Sequence, residues 1–119
     1  MTNRLALVVD DHPTNRLLAS ALLKKLGWAV YEADSGESAL TLAGQHHFQL
    51  IMLDISMPGL TGEETCRQLR QRQTLPSRIL AYTAHAFPED RQQFLQAGFD
   101  DILVKPINRQ RLEEMINGL

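Results

Sequence analysis

Apolar residues occur in two rhythms along this chain. Leu5-Ala6-Leu7-Val8-Val9 and Leu50-Ile51-Met52-Leu53 are unbroken apolar runs, each leading directly into acid: Asp10-Asp11 after the first, Asp54 after the second. Short unbroken runs bounded by turn signals predict strands buried on both faces, as in a parallel sheet. Pro58 and Gly59 forbid continuation of the second, which puts Asp54 at the strand's carboxyl end. Arg78-Ile79-Leu80-Ala81-Tyr82, preceded by Pro76 and ending in Thr83, predicts another strand. Ile102-Leu103-Val104, running into Lys105-Pro106, predicts a further short one. Trp28 to Ala33 alternates less strictly and predicts an edge strand.

Between these runs the spacing becomes helical. Pro13 suits a first helical turn, where its missing N–H costs nothing. Leu17, Leu18, Ala21, Leu22 and Leu26 then mark an apolar face, and Gly27 is the stop signal. Ser35 is a good N-cap for a helix carrying Ala39, Leu40 and Ala43. Thr61 and Glu64 match a capping box before a polar helix that buries mainly Cys66 and Leu69. Pro88 opens a weakly apolar helix with Phe94 and Leu95, closed by Gly98. Asn108 caps a last helix, with Leu112, Met115, Ile116 and Leu119 at helical spacing.

Five strands alternating with five helices predict right-handed βαβ units. The fold class is α/β, a doubly wound, flavodoxin-like parallel sheet with helices on both faces. Of the two common doubly wound orders, 2-1-3-4-5 suits five strands, because it leaves the Trp28 and Ile102 strands at the edges. That order sets the first and third strands side by side at the topological switch point. Asp10, Asp11 and Asp54 then share one crevice, with Thr83 and Lys105 delivered by the next two strand ends.

Composition narrows the function without naming it. The 119 residues form one domain over 1–119, with 44% apolar and 22% charged residues. A net charge of −2 gives no signal for nucleic acid or an anionic membrane. The single cysteine, Cys66, excludes an internal disulfide and fits a reducing compartment. No apolar run approaches the ~18 residues of a membrane span, so a cytoplasmic chain is expected.

The acidic crevice carries the chemistry. Like charges about 4 Å apart repel by roughly 4 kcal/mol per pair at an effective dielectric of 20. Three such pairs rival the ~5–15 kcal/mol stability of a whole domain, so a cation or raised pKa values must compensate. Lys105 supplies one charge, and a divalent ion would neutralise the remaining two. An all-oxygen site with few carboxylates favours Mg2+ and a phosphate-type ligand. A carboxylate can attack phosphorus to give an aspartyl phosphate, and Asp54, on a central strand, is the nucleophile the arrangement favours. Lys105 and the Thr83 hydroxyl would neutralise and bind the phosphoryl oxygens. His12 reads as a solvent-facing residue of a first helical turn.

Val9-Asp10-Asp11-His12-Pro13-Thr14-Asn15-Arg16, Leu53-Asp54-Ile55-Ser56-Met57-Pro58 with Gly62, Thr83-Ala84 and Lys105-Pro106 resemble the receiver domains of two-component signalling. The resemblance spans essentially the whole chain. It implies that Asp54 is the phosphoacceptor and that Asp10, Asp11, Asp54 and the backbone carbonyl of Ser56 bind Mg2+. It also implies that Thr83 and Lys105 contact the phosphoryl group, and that the Lys105–Pro106 bond is cis. Pro13 to Arg16, Thr83-Ala84-His85-Ala86 and Lys105-Pro106-Ile107 are most similar to receivers fused to hybrid sensor kinases. Such receivers take phosphate from a histidine kinase transmitter and pass it to a histidine phosphotransfer domain. The expected partner surface is Pro13, Thr14 and Leu17 on the first helix with Pro106 and Ile107 after the last strand.

Catalysis by this chain would be its own phosphorylation; histidine kinase activity would belong to a longer hybrid chain. The alternative is a stand-alone response regulator acting through a phosphorylation-dependent protein contact. Many receivers carry Tyr or Phe where this chain has Ile102, which predicts a monomer with a muted switch. Three other readings share parts of the pattern. An FMN protein of this fold needs a hydroxyl- and glycine-rich loop where Asp10-Asp11 stand. A haloacid dehalogenase-type phosphatase needs a second Asp two residues after its nucleophile, where His12 and Ser56 stand. A degenerate receiver would lack part of the five-residue set.

Overall fold

The computed structural model describes residues 4–72, 77–84 and 88–117. Five strands, β1 (Leu5–Val9), β2 (Ala29–Ala33), β3 (Leu50–Asp54), β4 (Arg78–Thr83) and β5 (Asp101–Val104), alternate with five helices. These are α1 (Pro13–Lys25), α2 (Gly36–Gln45), α3 (Gly62–Arg72), α4 (Pro88–Ala97) and α5 (Arg109–Ile116). All neighbours pair in parallel, in the order β2-β1-β3-β4-β5. Strand alternation sends Leu7, Val9, Ile51, Leu53, Ile79, Ala81 and Ile102 to one face, where Ala39, Leu40, Cys66, Leu69 and Phe94 cover them. Ala6, Val8, Leu50, Met52, Leu80, Tyr82 and Leu103 fill the other, beneath Ala19 and Leu23 of α1 and Leu112 and Met115 of α5. Burial on both faces is the physical reason these strands read as unbroken apolar runs.

The punctuation works as the sequence indicates. Pro13 begins α1, and Gly27 and Gly98 follow helices with φ of 94° and 112°, a region L side chains avoid. Ser35 caps α2 through a reciprocal box with Ser38. Thr61 accepts the Glu64 N–H at 3.2 Å, and Asn108 accepts that of Arg111 at 3.0 Å. The Lys105–Pro106 peptide is cis. Among the described residues, no helix is long and apolar enough to cross a membrane.

Three expectations fail. The core stripe of α1 is Ala19, Ser20 and Leu23, with Leu22 and Leu26 beside it, whereas Leu17 and Leu18 are 64% and 54% exposed and Ala21 is exposed. Positions 17 to 19 and 21 to 23 are all apolar, so helical spacing admits two stripes and only docking on the sheet chooses between them. Trp28 precedes β2 rather than belonging to it, and is buried against the second cluster. Leu95 is also exposed, leaving Phe94 and Ala97 as the buried contacts of α4. Pro76, His85, Ala86 and Leu119 lie outside the described residues.

Candidate functional site

Every side chain of the expected set sits at the carboxyl edge of the sheet. Asp10 and Asp11 follow β1, Asp54 and Thr83 are the last residues of β3 and β4, and Lys105 follows β5. Because β2 and β3 flank β1 on opposite sides, the chain leaves β1 and β3 in opposite directions and a crevice opens between them. One oxygen each from Asp10, Asp11 and Asp54 lies within 4.8 Å of the others. Lys105 Nζ reaches across them, 3.0 Å from Asp10 Oδ2 and 3.4 Å from Asp54 Oδ1.

Thr83 joins this group through the ladder. Asp54 pairs with Tyr82, one residue before Thr83, and the Thr83 carbonyl accepts the Lys105 N–H at 2.7 Å. Ser56, two residues past the strand end, donates its backbone N–H to Asp54 Oδ1 at 3.3 Å. Pro13, Thr14 and Leu17 are exposed on the first turns of α1, directly after Asp11, while Pro106 is exposed and Ile107 half-buried directly after Lys105. His12 is exposed, as a first-turn residue should be.

Electrostatics distinguish the carboxylates. Asp10 is fully buried and heavily supported: Oδ1 accepts the His12 N–H at 2.9 Å and Oδ2 faces Lys105. Asp54 is pushed up to about 6, first by burial, which penalises its charged form. The Lys105 ammonium pulls it down, Asp10 pushes it up, and the Ser56 hydrogen bond lowers it. Asp11 Oδ1 is buried with no hydrogen-bond partner among the described residues. Three carboxylates against one ammonium leave two negative charges in the crevice. An oxygen-only donor set, a buried unpartnered carboxylate oxygen and a double negative charge together fit a hard divalent cation such as Mg2+.

This sets up a test that separates metal binding from structure. Asp11→Asn is expected to weaken Mg2+ binding at least tenfold, about 1.4 kcal/mol. Without metal, its melting temperature should equal or exceed that of the unaltered protein, since one repulsive charge is gone. Titration calorimetry and thermal melts in chelator read the two effects; a clear loss of metal-free stability would make Asp11 structural.

Three further residues support the site in ways the sequence assigns to none of them. Arg16 donates to the Asp10 carbonyl at 2.8 Å and pairs with Glu32 at 3.1 Å, holding the Asp10-Asp11 turn against β2. Glu37, at the start of α2, accepts the Leu60 N–H at 3.0 Å and so anchors the loop after Asp54. Tyr82 lies under Lys105, with Nζ 4.9 Å from its ring centroid. Each contact joins segments distant in sequence, which periodicity cannot reveal. Cys66 is buried on α3 and its thiol is pushed up to about 12 by burial, so it stays protonated and packs as an apolar residue.

Residues 6–117 match the family model for the response regulator receiver domain. Among curated proteins, the chain is 39% identical over 114 residues to sensor histidine kinase GacS of Pseudomonas protegens, covering 92% of this chain and 12% of that protein. It is 40% identical over 120 residues to virulence sensor protein BvgS of Bordetella pertussis, covering 92% of this chain and 10% of BvgS. The chain therefore spans about an eighth or less of these relatives. Among solved structures, chemotaxis response regulator CheY4 of Vibrio cholerae superposes with a TM-score of 0.89 at 32% identity, over 97% of this chain and all of that one. The receiver domain of sensor histidine kinase PA1611 of Pseudomonas aeruginosa, solved with magnesium in its active-site cleft, gives 0.86 at 32%, covering 96% and 94%. The receiver of Ssk1 from Saccharomyces cerevisiae, crystallised with the phosphotransfer protein Ypd1, gives 0.85 at 28%, covering 94% and 85%.

Proposed function

Because the chain belongs to the response regulator receiver family, we propose that Asp54 accepts a phosphoryl group from a phosphohistidine and passes it to a histidine phosphotransfer partner. The observation that carries this reading is the buried Asp54 carboxylate, set among Asp10, Asp11 and Lys105 at the switch point of the sheet. An Asp54 Oδ attacks phosphorus, the new O–P bond forms as the N–P bond breaks, and the imidazole nitrogen keeps the bonding pair. Asp10, Asp11, Asp54 and the Ser56 carbonyl would hold Mg2+, which when bound neutralises charge on the phosphoryl oxygens. Lys105, already 3.4 Å from Asp54, turns to a phosphoryl oxygen, and the Thr83 hydroxyl bonds another. Asp10 keeps Lys105 in place through the transfer, because its ion pair does not involve the reacting carboxylate. Donation onward is the same displacement run backward.

Labelling with acetyl phosphate tests the reading. One phosphoryl group per chain should appear with Mg2+ and none in chelator; no labelling under either condition would leave only a docking module of this fold.

The similarity to GacS and BvgS supports a place as the receiver of a cytoplasmic hybrid-kinase segment, the single domain 1–119 being one module of it. Its donor would be a histidine kinase transmitter, with kinase activity residing in other segments. The docking surface is the rim of exposed Pro13, Thr14, Leu17 and Pro106 with half-buried Ile107. A phosphohistidine must approach Asp54 in line, so its helix has to rest on that rim. Charge substitutions at Thr14 or Ile107 should slow transfer from the partner about tenfold while sparing acetyl phosphate labelling. An equal fall by both routes would place these residues in the chemistry instead.

Ile102 governs the response to phosphorylation. It is buried in the cluster shared with Phe94, beside Ala81 in the ladder. A β-branched strand residue has few rotamers and cannot carry a ring between a buried and a surface position. The face of α4, β5 and α5 therefore differs little between the two states, and the chain stays a monomer. Sedimentation with and without beryllofluoride checks this, induced dimerisation being the contrary result.

A further inference from the structure

Tyr82 contacts the site from beneath and has no role in the chemistry above. It is 2% exposed, pairs with Asp54 across β3 and β4, and its side chain lies on the α1/α5 face with Asp10 and Asp54. Its carbonyl accepts the Ile55 N–H at 3.3 Å, so its backbone is fixed by the strand that carries the phosphoacceptor. Lys105 Nζ stands over the ring at 4.9 Å from the centroid, within cation–π range. Burial, then Asp10 and Asp54, hold the phenol at about 12, so a neutral ring faces the ammonium at working pH.

We propose that Tyr82 is the positioning residue for Lys105, its ring face bedding the ammonium. Of the two carboxylate contacts of Lys105, that to Asp10 remains through a transfer, whereas that to Asp54 is lost when Asp54 becomes an acyl phosphate. The ring contact does not depend on the charge of Asp54. A residue anchored by the β3–β4 ladder thus limits the wandering of a flexible four-carbon side chain, and the ammonium meets the phosphoryl oxygens without a search.

This inference rests on the phosphoacceptor reading, and the experiment keeps the two apart. In the unaltered protein, without phosphodonor, the Lys105 Hε protons should be shifted upfield by the ring current. Tyr82→Phe keeps the ring and should keep that shift, with labelling by acetyl phosphate within about twofold of the unaltered rate. Tyr82→Leu keeps an apolar, buried side chain but no ring; the shift should vanish and the maximal labelling rate fall about fivefold. Mg2+ affinity should hold in both variants, because no metal-binding carboxylate is altered. Ordinary Lys105 shifts in the unaltered protein overturn the inference, even if the leucine variant does not fold. Unchanged labelling in Tyr82→Leu, or a parallel loss of Mg2+ affinity, overturns it as well. Failure of the unaltered protein to label at all would instead sink the phosphoacceptor reading.

Discussion

Asp54→Asn is expected to reduce acetyl phosphate labelling to background while making the metal-free protein more stable. The first effect follows from chemistry, since an amide offers phosphorus no anionic oxygen. The second follows from burial. The carboxyl group is pushed up to about 6 in the fold from its ordinary 3.8. Between those values the folded state holds more protons than the unfolded one. The contribution of Asp54 to stability is therefore most favourable below about pH 4 and declines as the pH rises to about 6. Above that, the ionised group costs up to about 3 kcal/mol, at 1.36 kcal/mol per pKa unit. Asn keeps an oxygen to accept the Ser56 N–H and removes the charge that burial and Asp10 oppose. Thermal melts in chelator should show the variant close to the unaltered protein near pH 4 and clearly above it at pH 7. Labelled Asp54→Asn would move the phosphoacceptor elsewhere; a less stable variant at pH 7 would mean that the carboxylate is structural.

The largest expected cost in stability lies at Gly62. This residue is buried at the start of α3 and donates its N–H to the Ile55 carbonyl at 3.2 Å. A Cβ there would overlap the Asp54 carbonyl oxygen and come within 2.8 Å of the Ile55 Cα. Both obstacles are backbone, so neither can swing aside. Gly62→Ala must push α3 off the end of β3 or displace residues 55–61, which carry the Ser56 carbonyl. Overpacking of this kind typically costs about 1–3 kcal/mol, and rigid backbone on both sides puts Gly62 at or above the upper end. Urea unfolding should show a lower midpoint at unchanged slope, together with weakened Mg2+ binding. Gly44→Ala is the control, because nothing lies within 4 Å of a Cβ there. A Gly62→Ala midpoint equal to that of the control would dismiss the close approach.

Local sequence was enough to locate the strands and the chemistry at their ends. An unbroken apolar run followed by acid, as in Leu50 to Asp54, encodes a strand, its burial on both faces and its exit within ten residues. Those properties depend on solvation and backbone sterics along a short stretch, which is why the Pro13, Ser35 and Asn108 boundaries were equally legible. The strand order follows from the alternation of elements and the handedness of crossovers, and it brings Asp10, Asp11 and Asp54 to one crevice.

What the sequence left open depended on segments meeting one another. The α1 sequence offers two apolar stripes, and docking on the sheet buries Ala19 and Leu23 and leaves Leu17 and Leu18 exposed. Glu37 finds Leu60, and Arg70 clasps the Gly98 and Ser77 carbonyls and the Asp100 carboxylate, across 23, 28, 7 and 30 residues of chain. Tyr82 read as one more apolar strand position until β5 carried Lys105 over its ring. Helical and strand periods fix where a side chain points relative to its own element. What it then touches is decided by register and docking between elements, and only the folded sheet supplies those.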